Sequence, residues 1–414
     1  MGKDLKAYNI FDLRELALKR VPKGLFEFVD RGTEDEVSLA NNRAVFNTIR
    51  FRPRTMVDVS KRSLGTTIFG VEHKMPMVIA PTGTAGLMWF EGDLALARAA
   101  RQAGIPFTLS TASMTAMERV AAEAGGELWF QLYLWPDRRL SHELVERAKA
   151  SGYKALVVTV DGVMSGNREY NIRNGFTIPF TFTTRNVTDM LRHPRWLAGV
   201  MMRYLLTTGM PMYQNYPAEA RAKLTAGPMG RSSLRTDSLN WDDLAALRKI
   251  WPHKLIVKGV LNPEDAAKAV EYGADGIDVS NHGGRNLDGI ISPIEVLPQI
   301  VDAVGKRATV FVDSGFRRGS DVVKAIALGA DAVMVGRSTL YGVAAGGFDG
   351  AVRALDIYRD EISRVMALLG CNRLAELGPH YLKIIDPTLS RAVAVGLDDA
   401  TGACAVAATK AGAE

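Results

Sequence analysis

KLIVKGVLNPEDAAKAVEYGADGIDVSNHGGRNLDG, residues 254–289, decides the fold. It opens on an apolar run, 254–259, too short for a helix and bounded by glycine. Asn262-Pro263-Glu264-Asp265 then carries N-cap and first-turn chemistry, and the helical pattern it starts ends at Gly273. A second apolar run, Gly276-Ile277-Asp278-Val279, follows at once. Strand, helix and strand in so short a span form a unit whose two strands run parallel.

The same rhythm extends in both directions. Before this unit lie MPMVIAP (75–81), PFTLST (106–111), ELWFQLY (127–133) and ALVVTVD (155–161); after it lie TVFVDSG (309–315) and AVMVGR (332–337). Helical segments such as GDLALARAARQAG separate most of them. Strands that are apolar throughout are buried on both faces, and eight βα units close into a (β/α)8 TIM barrel. The barrel is expected over about residues 75–370, within a single domain spanning 1–414. A doubly wound open sheet is the alternative, disfavoured because no Gly-x-Gly-x-x-Gly turn follows the first strand. From Asp161 to Lys254 no regular βα unit is evident. Asn240-Trp241-Asp242-Asp243 opens a helix, which leaves a long insertion after the fourth strand, placed at 178–238. Loops of that length are functional or mobile.

Composition narrows the function classes. The chain is 47% hydrophobic and 23% charged, as soluble globular proteins are. Two cysteines, Cys371 and Cys404, cannot make a disulfide framework, which fits a reducing cytoplasm. The N-terminus has charges throughout and no apolar core, unlike a signal peptide. The six histidines show no ligand spacing, so no metal site is expected. The net charge of +6 is concentrated: residues 185–235 hold Arg185, Arg192, Arg195, Arg203, Arg221, Lys223, Arg231 and Arg235 against Asp189 and Glu219 alone. With no nucleic-acid motif and the charge in one loop, nucleic-acid binding is not expected.

Chemistry in a barrel sits at the C-terminal strand ends. Those ends carry Thr82, Ser110, Gln131 with Tyr133, Thr159 with Asp161, Lys258, His282 with Arg285, Asp313, and Gly336-Arg337. A polar residue there usually just faces solvent or caps a helix; so many together is harder to explain that way. DSGFRRGSD (313–321) supplies Gly315, Arg317, Arg318 and a helix start, and VGRS (335–338) supplies Arg337. Helix N–H groups and arginine forks suit a phosphate dianion, and the last two loops are where barrels often bind one. Solvated surface charge accounts for one of the three arginines but not for all.

His282 and Arg285 address one small ligand from a single turn. An arginine holds a carboxylate bidentately and keeps its proton, whereas a neutral imidazole accepts one near neutral pH. Asp161 beside His282 would stabilise the imidazolium and fix its tautomer, and Lys258 adds positive charge where an anion develops. This constellation removes hydrogen from the carbon next to a carboxylate. No side chain accepts a hydride, so a redox cofactor is required.

With LIVKG, WFQLY, VTVDG, VSNHGGRNLDG and VDSGFRRGSDVVKAIALGADAVMVGR in place, the chain resembles the FMN-dependent L-2-hydroxy acid oxidase and dehydrogenase family, from about Tyr8 to about Leu377. It is most similar to the membrane-associated mandelate and L-lactate dehydrogenase branch. The resemblance implies an FMN-containing barrel that oxidises an L-2-hydroxy acid to the 2-keto acid and passes electrons to a quinone, another respiratory acceptor or oxygen. It implies His282 as base, Arg285 as carboxylate clamp, Tyr133 as a hydrogen-bonding partner of substrate, Asp161 as partner of His282, and Arg168 as a second, mobile carboxylate ligand. Lys258 would stand by the flavin N1–C2 edge. Thr82, Ser110, Gln131 and Thr159 would bind the isoalloxazine, Asp313 the ribityl chain, and Gly315, Arg317, Gly336 and Arg337 the phosphate end. A homotetramer is implied as well.

Three positions depart from the family pattern. Phe28 stands where tyrosine is usual, which implies a larger substrate, less dependent on that hydroxyl, or one with a modified carboxylate. Ala112 replaces a bulky tryptophan and leaves room for an aromatic or branched side chain. Asn286 replaces glutamine, a one-methylene change expected to matter little. A family member repurposed for a peptide-derived intermediate is the runner-up; a catalytically silent flavin-binding scaffold is the non-enzyme rival. The insertion, with HPRWLAGVMMRYLLTTGMPMYQNYP (193–217), mixes apolar and basic residues but is too interrupted to span a bilayer. It suits peripheral contact with the inner face of the cytoplasmic membrane; an active-site lid with a solvated basic face is the alternative.

Overall fold

A computed structural model describes residues 5–176, 180–221, 223–226 and 237–385. Eight parallel strands close into a barrel: β1 Met77–Ile79, β2 Phe107–Ser110, β3 Leu128–Leu132, β4 Ala155–Thr159, β5 Lys254–Val260, β6 Gly276–Val279, β7 Thr309–Val312 and β8 Ala332–Val335. Each pairs with the next in sequence, and β8 returns to β1 through Val333–Met77 and Val335–Ile79. All eight are the apolar runs identified from sequence. Most observed strands end a little before their runs do, because pairing stops where the polar residues of the upper rim begin.

The helices around the barrel are α1 Gly92–Ala103, α2 Met117–Ala124, α3 Arg138–Ala150, α4 Trp241–Ile250, α5 Pro263–Glu271, α6 Pro293–Val304, α7 Gly319–Ala327 and α8 Arg337–Leu369. Asn240 and Asn262 cap α4 and α5 with their side chains, as the sequence indicates. Helix α8 is kinked at Gly346–Gly347, where a Cβ on Gly347 would lie 2.5 Å from the Trp89 ring.

Two cores result from the two faces of each strand. Ile277, Val279, Leu255 and Val257 pack outward against the helices. Trp129, Val157, Ile256, Phe311 and Met334 fill the barrel interior. A hairpin of Thr66–Ile68 and Val71–His73 closes the bottom, with Phe69 packed 5.8 Å from Trp129 and 5.7 Å from Phe311 between ring centroids. The top stays open toward the loops. There the Lys23–Asp30 helix brings Phe28 and Val29 to the rim.

The interval after β4 holds short helices in place of a βα unit: Glu169–Arg173, Thr184–Leu191, Pro194–Trp196 and Arg203–Thr207, the last two joined through a wider π-turn. It is anchored rather than splayed. Trp196 Nε1 donates to the Leu87 carbonyl at 2.7 Å, and the Tyr204 hydroxyl accepts from the Glu91 N–H at 3.2 Å. Asn215 receives the Met117 N–H and donates to the Thr115 carbonyl. Arg231, Arg235 and part of the expected insertion lie outside the described residues, as does Cys404.

Candidate active site

A cavity of about 660 Å³ opens at the C-terminal end of the barrel. Its wall takes in Thr82, Ser110, Ala112, Tyr133, Thr159, Arg168, Lys258, His282, Arg285, Asp313, Gly315, Arg317, Gly336, Arg337 and Phe28. Of the residues singled out in sequence, Gln131 and Asp161 stand behind that wall. Gln131 bridges Ser110 and Thr159, accepting from the first hydroxyl at 3.1 Å and donating to the second at 3.0 Å.

His282 owes its place to an unusual turn. It adopts φ +57°, and Gly283 and Gly284 follow at +68° and +69°. Three left-handed residues in a row are costly unless the surroundings hold them. Here Ser280 Oγ accepts the His282 N–H, Ser314 Oγ that of Gly283, and Asn281 Oδ1 that of Gly284. A side chain at Gly283 would collide with the Arg337 guanidinium at 2.5 Å, so the glycine lets that arginine approach. The result aims the imidazole into the cavity. Its Nδ1 lies 2.8 Å from Asp161 Oδ1 and its Nε2 lies 3.5 Å from the Tyr133 hydroxyl. A carboxylate on Nδ1 leaves Nε2 as the face that exchanges a proton.

Two half-buried guanidiniums stand opposite. Arg285 and Arg337 both donate to the carbonyls of Val29 and Arg31, at the C-terminal end of the Lys23–Asp30 helix. That end presents unsatisfied carbonyls and negative partial charge. Neither arginine has an ion pair among the described residues. Burial, reinforced by Arg168, presses Arg285 down to about 9; burial, reinforced by Arg285, presses Arg337 down to about 10. A guanidinium keeps its proton in proteins, so the pressure expresses an unmet demand for an anion. The cavity is therefore built for negative charge at two points.

Lys258 occupies the floor. Its ammonium donates to Asp278 at 2.6 Å, to Ser280 Oγ at 2.9 Å and to Asp313. Burial alone would lower its pKa, but Asp278, Asp313 and Asp161 together hold it well above the ordinary lysine value. It is a fixed cation.

Sequence reasoning misplaced or missed several residues. Arg318, read with the phosphate arginines, turns away to pair with Glu361 at 2.8 Å and is not part of the cavity wall. The start of α7 is not the anion-binding helix end either. Asp321 Oδ2 takes the N–H groups of Arg317 and Arg318, and Glu361 takes that of Gly319. The helix that begins on the wall is α8, at Gly336–Arg337. Asn286, discounted in sequence, donates to the Asp161 carbonyl at 2.8 Å and accepts from Arg168 at 3.4 Å, tying together both partners of the His282–Arg285 turn. Tyr213 and Tyr216, from the insertion, also line the cavity, stacked 4.8 Å apart with Trp135 edge-on to the second. Only their place in the long insertion could have flagged them.

The set fits a flavin mononucleotide: a row of hydroxyl groups on one wall backed by an amide, a fixed ammonium below, and a half-buried cation at a helix start for a phosphate. The profile of FMN-dependent dehydrogenases matches residues 17–384. (S)-Mandelate dehydrogenase of Pseudomonas putida is 45% identical over 376 residues, covering 91% of this chain and 94% of that protein. A putative L-lactate dehydrogenase of Mycobacterium tuberculosis is 42% identical, covering 91% of this chain and 89% of that one. The crystal structure of the monotopic membrane protein (S)-mandelate dehydrogenase superposes with a TM-score of 0.86 at 44% identity, over 92% of this chain and all of that one. This chain belongs to the FMN-dependent dehydrogenase family.

Proposed function

We propose that this protein, an FMN-dependent oxidoreductase acting on the CH–OH group of 2-hydroxy acids, prefers L-acids with a bulky or aromatic side chain and works through His282 and Arg285. The carrying observation is that an aspartate-supported imidazole and a half-buried arginine, with no ion pair among the described residues, face one cavity. Arg285, with Arg168 beside it, holds the substrate carboxylate. Tyr133 and His282 then meet the hydroxyl at the next carbon. FMN supplies the two-electron acceptor. His282 Nε2 takes one proton, from the hydroxyl if the α-hydrogen leaves as hydride and from carbon if it leaves as a proton. Asp161 stabilises the imidazolium so formed.

Thr82, Ser110, Gln131 and Thr159 would hold the flavin ring, Asp313 the ribityl chain, and Gly315, Arg317, Gly336 and Arg337 the phosphate. Side-chain preference rests on the wall around the reacting carbon. Ala112 is small, and Phe28, Ile172, Phe176, Trp135, Tyr213 and Tyr216 form an apolar and aromatic surround. An aryl ring buries well there. The exposed apolar surface of the insertion favours electron delivery to a membrane quinone.

The test is the His282→Asn holoenzyme. It should retain FMN and lose about 10²- to 10⁴-fold in kcat, the usual size of a general-base contribution. Turnover within a factor of ten of the unaltered protein would remove His282 from its role.

A further inference from the structure

Strand β6 sends Ile277 and Val279 outward to the helices and Asp278 inward. The interior around it is otherwise apolar, built from Trp129, Val157, Ile256, Phe311 and Met334. A fully buried carboxylate in such a place is costly unless paired. One oxygen of Asp278 takes the Lys258 ammonium at 2.6 Å. The other, Oδ1, has no hydrogen-bond partner among the described residues. Lys258 does not need Asp278 for charge balance, because Asp313 already pairs with it. Two carboxylates thus share one ammonium, a ratio the fold alone does not require.

Lys258 lines the cavity and Asp278 does not. Whatever Asp278 does to the chemistry, it does through that ammonium. We propose that Asp278 is a positioning residue that draws the Lys258 ammonium toward the barrel interior and offsets its charge, so that bound FMN has a lower midpoint potential than Lys258 would otherwise give it. The inference rests on the reading that Lys258 faces the flavin. Burial and Asp313 push the Asp278 carboxyl up, and the Lys258 ammonium 2.6 Å away pulls it back down. Asn has nearly the shape of Asp and removes its charge.

The experiment compares three FMN-loaded proteins: unaltered, Asp278→Asn and Asp278→Val, the last removing both charge and buried polar atoms. Midpoint potentials are read by dye-coupled anaerobic titration, and sulfite affinity of the oxidised holoenzyme by absorbance. Removing the offset charge should favour the reduced flavin at least tenfold, about 30 mV for a two-electron couple, and tighten sulfite binding about tenfold. A potential within about 9 mV and a sulfite constant within twofold of the unaltered protein overturn the proposal while leaving the active-site reading intact. Loss of FMN from both variants assigns Asp278 to the fold and overturns it as well. Failure of the unaltered protein to bind FMN overturns the active-site reading itself.

Discussion

Phe28 sets its ring 5.4 Å from the Arg285 guanidinium and 5.2 Å from the Phe176 ring, so it meets the proposed carboxylate clamp with a π-face and no hydroxyl. The Phe28→Tyr variant adds one donor beside the expected carboxylate. A hydrogen bond to a charged group is worth about 1.5–3 kcal/mol, so kcat/KM for glycolate and L-lactate should rise by about tenfold or more, with a smaller gain for (S)-mandelate. Unchanged turnover of the small acids would show that the missing phenol does not set the preference. The residues to which we assign proton and charge chemistry, His282, Arg285, Lys258 and Asp161, could be singled out because each lies near or just past the C-terminal end of a recognisable strand. Asn286, Asp278, Tyr213 and the Val29 and Arg31 carbonyls were not. Their roles exist only through space, between segments far apart in the chain.

Among the elements, α1 shows how the top of the barrel is held together. Asp93 lies in its first turn, fully buried, and takes hydrogen bonds from Ser113, Thr115 and the Met114 backbone in the loop after β2. Burial outweighs those bonds and raises its carboxyl to about 6. The folded protein therefore holds a proton that the unfolded chain releases near pH 4. That contribution to stability is complete below the unfolded pKa and is lost as pH rises through about 6. Denaturant titrations of the unaltered protein against Asp93→Asn should show the difference between them shifting against the unaltered protein by up to about 3 kcal/mol from pH 4 to pH 7. A constant difference would mean that Asp93 is ionised throughout. The same scale explains the α7 error. Arginines and glycine before a helix look like an anion site in sequence, but Asp321 in the first turn folds back onto those N–H groups, and i+3 self-capping competes with any ligand.

At the scale of the whole molecule, the barrel was readable because eight apolar runs recur with helices between them, a period that survives local ambiguity. The insertion has no such period. Its path became definable only through anchors such as Trp196 and Asn215 that reach distant parts of the chain. Its described part exposes Phe182, Leu191, Met202, Leu205 and Leu206 alongside Arg185, Arg192, Arg195 and Arg203. Among the described residues no helix is long and apolar enough to cross a membrane. Apolar and basic groups on one surface suit an anionic bilayer instead. Co-sedimentation with vesicles containing anionic lipid should capture the protein at low salt. Because burying one leucine contributes about 1.5–3 kcal/mol, Leu205→Glu with Leu206→Glu should reduce capture at least tenfold without changing turnover with a soluble dye. Equal capture of both proteins would leave the insertion as a lid.

A cavity that couples FMN to oxidation of the carbon beside a carboxylate should reduce its flavin when given the right acid. Anaerobic mixing of the FMN-loaded protein with L-lactate, glycolate, (S)-mandelate, (R)-mandelate and longer 2-hydroxy acids tests it directly, read as bleaching of the flavin absorbance. The account predicts rapid bleaching by (S)-mandelate, slower bleaching by the small L-acids, none by (R)-mandelate, and one 2-keto acid formed per flavin reduced. A flavin that stays oxidised with every acid would contradict it.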